Sequence, residues 1–481
     1  MARLDLPLVV PWIRLDQDAK AEEEAALRRA RDPSVAGFCL FGGEAEGVRR
    51  LTARLRDAAG KKALFIASDM ERGAGQQVKG LRVLPDAGVF GLAAIPDEAR
   101  AFGRLTALDA RSVGVDVLFA PVVDVRSELG NPIVGNRSFG YDPDRVGMLA
   151  SAYVEGAFEG GALPTAKHFP GHGGTLADSH DAVPVVNDSA RCVIERDLAP
   201  FLQVLHTGCP AVMTAHVAYP ALDPSGAIAT FSKSILDRLL SKARGPGDVV
   251  VFTDALLMSG ALGGGSETEA ARRALTAGCH ALLIPTDPER LAAELLDGAD
   301  AGLLAAAELG ASALAQFGVL ARGMAGGLGS RGQTDDSHPA QVAERALWLA
   351  GGGVLGPIAA GKRIVVIDDD ATVDRGLVLE RRGKAAGVGV VIVRLGKGQP
   401  PPRIEAGAQP SAIVVMSSVR AWKGASDLSE AGRALLSFLS EAAPQADVVR
   451  LSPRAGSFGI HVPGTGPDVE AALADRWFPS A

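Results

Sequence analysis

The sequence is short of several things that would fix a class at once. It has four cysteines, Cys39, Cys192, Cys209 and Cys279, widely scattered. No two have metal-ligand spacing, and nothing suggests a disulfide framework. Three lie in or beside apolar runs, so buried free thiols in a reducing compartment are expected. No apolar run is read as reaching transmembrane length, and no membrane partner is expected. Leu4 to Ile13 is apolar but interrupted by Asp5, Pro7 and Pro11, with no clean small-residue cleavage site after it. It makes a poor signal peptide, and a cytoplasmic protein is the expectation. A large charge of one sign is also missing. The net charge of −7 gives no electrostatic reason to expect nucleic acid as a partner. There is no internal repeat.

What is present is length and apolar content. The 481 residues suggest two or three domains, and a hydrophobic fraction of 47% supports large cores. Short apolar runs alternate with longer amphipathic segments. Strands are expected at Leu6–Trp12, Val35–Phe41, Ala63–Asp69, Val115–Val122, Gly161–His168, Pro210–His216, Asp248–Asp254 and Gly278–Pro285. Helices are expected at Asp18–Arg31, Ala45–Ala59, Glu98–Val113, Pro143–Glu159, Asp188–Thr207, Lys233–Lys242 and Glu267–Ala277, with further helical segments from Pro288 to Val319.

Eight strand–helix pairs match the count of an α/β, (β/α)8 TIM-type barrel over residues 1–325. A doubly wound sheet is the alternative. Several strands end on Asp69, Lys167-His168, His216 or Asp254. A closed barrel would gather these around one mouth, which favours it. The Gly-rich stretch Gly323 to His338 reads as a linker, assigned to 326–338. A smaller parallel α/β sandwich is expected over 339–481, with strands Arg363–Asp368, Gly389–Val393, Ala412–Ser417 and Asp447–Leu451 and a helix at Leu428–Glu441. Gly456 to Pro467 reads as a surface turn or as a loop toward the barrel.

The densest chemistry lies in Lys167-His168-Phe169-Pro170-Gly171-His172-Gly173-Gly174-Thr175, continuing to Asp178-Ser179-His180-Asp181. Burying ionisable groups is costly, so such a cluster after a strand marks a working site. Asp178 and His180 are two apart, which lets the carboxylate fix one ring nitrogen for acid/base work. Asp254 reads either as a nucleophile or base, or as the N-cap of the next helix. Lys167 and His168 can share a ligand only if the backbone turns between them. Asp69 and Arg137 are the carboxylate and guanidinium that a hydroxyl-rich ligand calls for. A zinc site from His168, His172, His180 and Asp178 is the competing reading, but HxH and HExxH patterns are missing.

The stretch from Lys167 to Val186, KHFPGHGGTLADSHDAVPVV, resembles the KHFPGHGDT…DSH…P signature of glycoside hydrolase family 3, in its β-N-acetylglucosaminidase branch. Supporting stretches are Phe119 to Val125 (FAPVVDV), Asn136 to Gly140 (NRSFG), Met213 to Pro220 (MTAHVAYP) and Phe252 to Met258. The resemblance covers roughly residues 5–320 and is loose beyond them.

The resemblance implies a retaining exo-glycosidase that removes a terminal β-linked N-acetylglucosamine from glycans or peptidoglycan fragments, without cofactor or metal. Asp254 aligns with the nucleophile, His180 with the acid/base and Asp178 with its partner. Asp69, Arg137, Lys167 and His168 align with residues that hold sugar hydroxyls. Glycines in the loop are expected to let His180 swing over the sugar. Two departures stand out: Gly174 replaces a usual acid, and DMERGAGQQVKG replaces the run that carries a sugar-binding arginine. Arg72, Lys79 and Arg82 are the candidates to replace it. Rival expectations are a family 3 phosphorylase, a β-glucosidase, a metal-dependent hydrolase and a silent sugar-binding protein. The sequence leaves the oligomeric state open.

Overall fold

A computed structural model describes residues 5–16, 18–128, 131, 133–175, 183–240, 249–257, 265–324, 338–350, 355, 357–369, 375–395, 410–417, 428–451, 460–462 and 467–478. Helices form where apolar residues recur on one face. In Ala45–Ala59, Val48, Leu51, Thr52 and Leu55 are buried one turn apart. Helix Pro143–Glu159 starts on Asp142, whose carboxylate accepts from Arg145 N. Helix Glu267–Ala277 runs from the Ser266 cap to left-handed Gly278. These three helices have the expected bounds.

The fold is α/β. Its contacts divide it into two compact units: Met1–Arg82, Ala99–Val125 and Tyr141–Thr334 in one, Val83–Glu98, Arg126–Gly140 and Asp335–Ala481 in the other.

In the first unit every pairing between the described strands is parallel. The strands are β1 (Val9–Val10), β2 (Trp12–Arg14), β3 (Gly37–Phe41), β4 (Phe65–Ser68), β5 (Val117–Leu118), β6 (Leu163–Pro164), β7 (Ala166–Phe169), β8 (Ala211–Thr214), β9 (Val250–Phe252) and β10 (Leu282–Leu283). They form the runs β2-β3-β4-β5-β6, β7-β8-β9 and β1-β10. Single parallel bridges Val9–Val35, Val122–Lys167 and Phe252–Ala281 link these runs. Two expected strands are split at or beside a residue that interrupts pairing. Pro11, which has no N–H to donate, separates β1 from β2, although its carbonyl still accepts from Cys39 N at 2.9 Å. Thr165, between β6 and β7, donates instead to Ala120 O. Expected helix 188–207 contains a π-helical stretch, Val193–Leu198. The Lys167–His168 and Phe169–Pro170 peptides are cis.

Helix packing is tight where glycines meet backbone. A methyl group on Gly103 would overlap Tyr153 O, and one on Gly156 would overlap Arg100 O. Helices Pro96–Ser112 and Pro143–Glu159 are thus pressed together main chain to main chain. Helix Ala301–Gly323, 23 residues, is long and apolar enough to cross a bilayer by length and composition. This corrects the expectation that no run reaches that length. One face of it is built into the core. Phe317 packs edge-on against Phe65 and Phe252, centroids 5.6 and 5.7 Å away.

In the second unit β11 (Arg363–Asp368), β12 (Gly389–Arg394), β13 (Ala412–Met416), β14 (Asp447–Leu451) and β15 (Ile460–Val462) form one parallel sheet, ordered β12-β11-β13-β14-β15. Alternate residues Val365, Ile367, Ile413 and Val415 join Leu435, Leu436 and Leu439 of helix Glu430–Ala442 in its core. Two expectations are corrected here. Residues 460–462 of the supposed turn pair with Val449–Leu451 as an edge strand. His338, placed in the linker, starts helix His338–Leu349, while 325–337 lie outside the described residues.

Candidate active site

Six ionisable residues of the first unit stand at or just past the carboxyl ends of parallel strands. Asp69 follows β4, Asp124 follows the bridge at Val122, Lys167 and His168 lie in β7, and His216 and Asp254 each come two residues after β8 and β9. Parallel pairing puts those ends on the same side.

Lys167 and His168 are adjacent, yet both are buried, at 2% and 5% exposure. The pairing of β7 with β8 explains this. Lys167 opposes Met213 and Phe169 opposes Thr214, so His168 is a bulged residue without a counterpart. The usual alternation is broken where both side chains are needed. Lys167 Nζ lies 2.6 Å from Asp69 Oδ1 and 2.6 Å from Glu71 Oε1. His168 Nδ1 lies 2.7 Å from Asp124 Oδ2. Because a carboxylate only accepts, that nitrogen carries the proton. Asp124 Oδ1 accepts from the backbone N–H groups of His168 and His172, at 3.1 and 2.6 Å. Burial pushes Asp124 up, but His168 and His172 outweigh it and hold the carboxyl below its ordinary value.

Asp254 accepts from Ala255 N at 2.8 Å. Burial would raise its pKa, but His168, His216, the Ala255 N–H and Lys167 together hold it below the ordinary carboxylate value. It is therefore an anion at neutral pH. His216 braces the same turn, with Nε2 3.2 Å from Ala255 O and Nδ1 2.8 Å from Thr230 Oγ1. His172 faces Thr175 Oγ1 through Nδ1 at 3.0 Å. Burial lowers its pKa to about 4, so it is neutral.

Asp69, Lys167, His168 and Asp254 thus belong to one electrostatic cluster. Arg137 lies in the second unit, in the 3-10 turn Gly135–Arg137, where Nη1 donates to Ile133 O. Asp178 and His180 lie outside the described residues. Asp124, Glu71 and His216 were not singled out as site residues, although each follows the strand-end pattern that drew notice to Asp69 and Asp254. Two candidates for the missing arginine are engaged elsewhere. Arg82 binds Asp109 through Nε and Nη2, at 2.8 and 2.7 Å, and Lys79 makes an exposed pair with Glu44. Among the described residues no group of three or more His, Cys, Asp or Glu is arranged to hold a metal ion.

Residues 7–314 match the Glycosyl hydrolase family 3 N terminal domain. The chain belongs to glycosyl hydrolase family 3. A relative of this family 3 chain, the β-hexosaminidase of Chromobacterium violaceum, is 37% identical over 295 residues, which are 59% of this chain and 81% of that protein. NagZ from Neisseria gonorrhoeae, solved with N-trifluoroacetyl-D-glucosamine, matches at 30% identity and a TM-score of 0.53, covering 68% of this chain and 98% of that one. A family 3 β-N-acetylglucosaminidase from a Paenibacillus species shares the fold over 97% of this chain and 94% of its own, with a TM-score of 0.80 at 24% identity.

Proposed function

We propose that this glycoside hydrolase is a retaining exo-β-N-acetylglucosaminidase acting on glycans or peptidoglycan fragments that end in N-acetylglucosamine. The carrying observation is Asp254: a carboxylate held ionised just past β9, within the electrostatic reach of Lys167, His168 and His216. A sugar seated beside it would present its anomeric carbon to that anion.

In this reading Asp254 attacks the anomeric carbon and forms a glycosyl-enzyme through an oxocarbenium-like transition state. His180, oriented by Asp178, protonates the departing oxygen, a contribution on the order of 10²–10⁴ in rate. It then takes a proton from the water that releases the sugar. Two inversions retain the β configuration. Asp69, Lys167, His168 and Arg137 hold the hydroxyls. The family match and the names of the relatives support the reaction. The strand-end placement of Asp69, Lys167, His168 and Asp254 supports the roles.

The linked parallel runs support a closed (β/α)8 barrel as the catalytic domain, 1–325, followed by a linker that ends before His338 and by an α/β sandwich that begins with helix His338–Leu349. The buried free thiols of Cys39, Cys209 and Cys279 suit a cytoplasmic setting.

The test is a panel of 4-nitrophenyl β-glycosides, assayed with and without phosphate. We expect rapid release from the N-acetylglucosaminide, little from the glucoside, free sugar as product, and loss of activity in Asp254→Ala. Sugar 1-phosphate as the product would make the chain a phosphorylase. An active Asp254→Ala would end the assignment of the nucleophile.

A further inference from the structure

Residues 176–182, which carry the proposed acid/base, are flanked on both sides by chain that is firmly held, and the same two short segments hold each side. On the leading side, the buried hydroxyl of Tyr219 donates to Gly171 O. Gly171 has φ +137, and a methyl group there would stand 2.7 Å from Asp197 Cβ, so the Asp197 side chain backs directly onto this turn. On the trailing side, Val186 N donates to Ala218 O and Ala218 N donates to Pro184 O, both at 2.9 Å, around the parallel bridge Val185–Ala218. Arg196 Nη2 donates to Asp188 Oδ2 at 2.8 Å.

The two holding segments cross-connect these sides. Ala218 and Tyr219 are consecutive; one grips the trailing segment at Pro184–Val186 and the other the leading turn. Arg196 and Asp197 are also consecutive, in the π-helical stretch Val193–Leu198. Arg196 binds Asp197 through Nε and Nη2 at 2.9 and 2.8 Å, so a single guanidinium joins the residue behind Gly171 to Asp188. π-Helical turns are uncommon and concentrate at functional sites. This one puts Asp197 against Gly171 and Arg196 against Asp188, on the two sides of 176–182.

We propose that Tyr219 and Arg196 are positioning residues for acid/base catalysis: they fix the spacing and direction of the two chain ends between which 176–182 runs. The inference rests on the reading of His180 as the acid/base. Neither residue needs to touch substrate. Their role is to keep the proton donor near the leaving oxygen, where a displacement of about 1 Å is enough to cost up to 10²-fold.

Leaving-group dependence distinguishes this role from general support of the fold. A dinitrophenolate departs with little need of a proton, whereas phenolate needs one. The experiment measures kcat/KM for 2,4-dinitrophenyl and phenyl N-acetyl-β-glucosaminides in wild type, Tyr219→Phe, Arg196→Met, Arg196→Lys and His180→Ala, with thermal melting of each. Tyr219→Phe and Arg196→Met are expected to lose about 10- to 100-fold on the phenyl glycoside, part of the roughly 10²–10⁴ of a general acid, while staying within about threefold on the dinitrophenyl one. Arg196→Lys, which keeps the charge, should recover part of the loss. Equal losses on both substrates, or no loss in the folded variants, would overturn the proposal. If His180→Ala itself loses activity equally on both, the acid/base reading fails and this inference fails with it. If His180→Ala discriminates and the positioning variants do not, only this inference falls.

Discussion

Asp124 grips His168 twice, through the ring Nδ1 at 2.7 Å and the backbone N–H at 3.1 Å. The same carboxylate carries the backbone of His172, so one buried anion shapes the turn that follows β7.

Replacing Asp124 with Ala is expected to leave the His168 ring and two N–H groups without their acceptor, at a cost of about 3 kcal/mol or more in urea unfolding. The pH dependence has a definite sign. Asp124 has a depressed folded pKa, so its stabilisation is present above the ordinary carboxylate value and is lost as pH falls through the folded one. The gap between wild type and variant should therefore persist at pH 5 and close only in stronger acid.

Glu71 is expected to matter through Lys167. In Glu71→Gln the ammonium keeps Asp69 but loses its second carboxylate. KM for an aryl N-acetylglucosaminide should rise about tenfold, corresponding to ~1.4 kcal/mol of ground-state binding. A purely structural Glu71 would lower the melting temperature with KM unchanged.

His280 offers a test remote from the chemistry. It is buried, accepts from Val251 N through Nδ1 at 3.1 Å, and burial lowers its pKa to about 4. The folded state therefore resists a proton that the unfolded chain takes up near its ordinary value, so stability drains away as pH falls from about 6.5 toward 4. His280→Asn retains an acceptor but does not titrate. Between pH 7 and pH 5, wild type should lose about 2 kcal/mol more than this variant in denaturant melts.

Gly156→Ala is expected to destabilise by at least the roughly 1–3 kcal/mol of an overpacked core, because its methyl group would strike Arg100 O. Ala at half-buried Gly47, where nothing lies within 4 Å of an added methyl group, is the control and should be neutral or stabilising.

The sequence was legible wherever a local rule decides. Helices 45–59, 143–159 and 267–277 were readable to the residue because each has a periodic apolar face, with Gly60 closing the first and the Asp142 and Ser266 caps opening the other two. Strand ends were less legible, since pairing partners trim them: only Val117 and Leu118 survive of 115–122, with Pro121 unable to donate. Asp69, Lys167, His168 and Asp254 could be found because charge right after an apolar run is costly without a purpose. Asp124 and Glu71 escaped notice because their importance lies in partners distant in sequence, 44 residues away for His168 and 96 for Lys167, the latter being 167 minus 71. The bulge that turns both Lys167 and His168 inward depends on the register of β7 against β8 and has no local signature. Strand β15 is three residues long, too short for a pattern to declare itself.

The crossing of helices Pro96–Ser112 and Pro143–Glu159 constrains how this protein can change over time. At Gly103 and Gly156 the obstacle to any side chain is a carbonyl of the opposite helix, which every amino acid possesses. No second-site substitution can shrink it. Suppressor screens on Gly103 or Gly156 variants should therefore return true revertants or distant global stabilisers, and never a reciprocal swap across the interface.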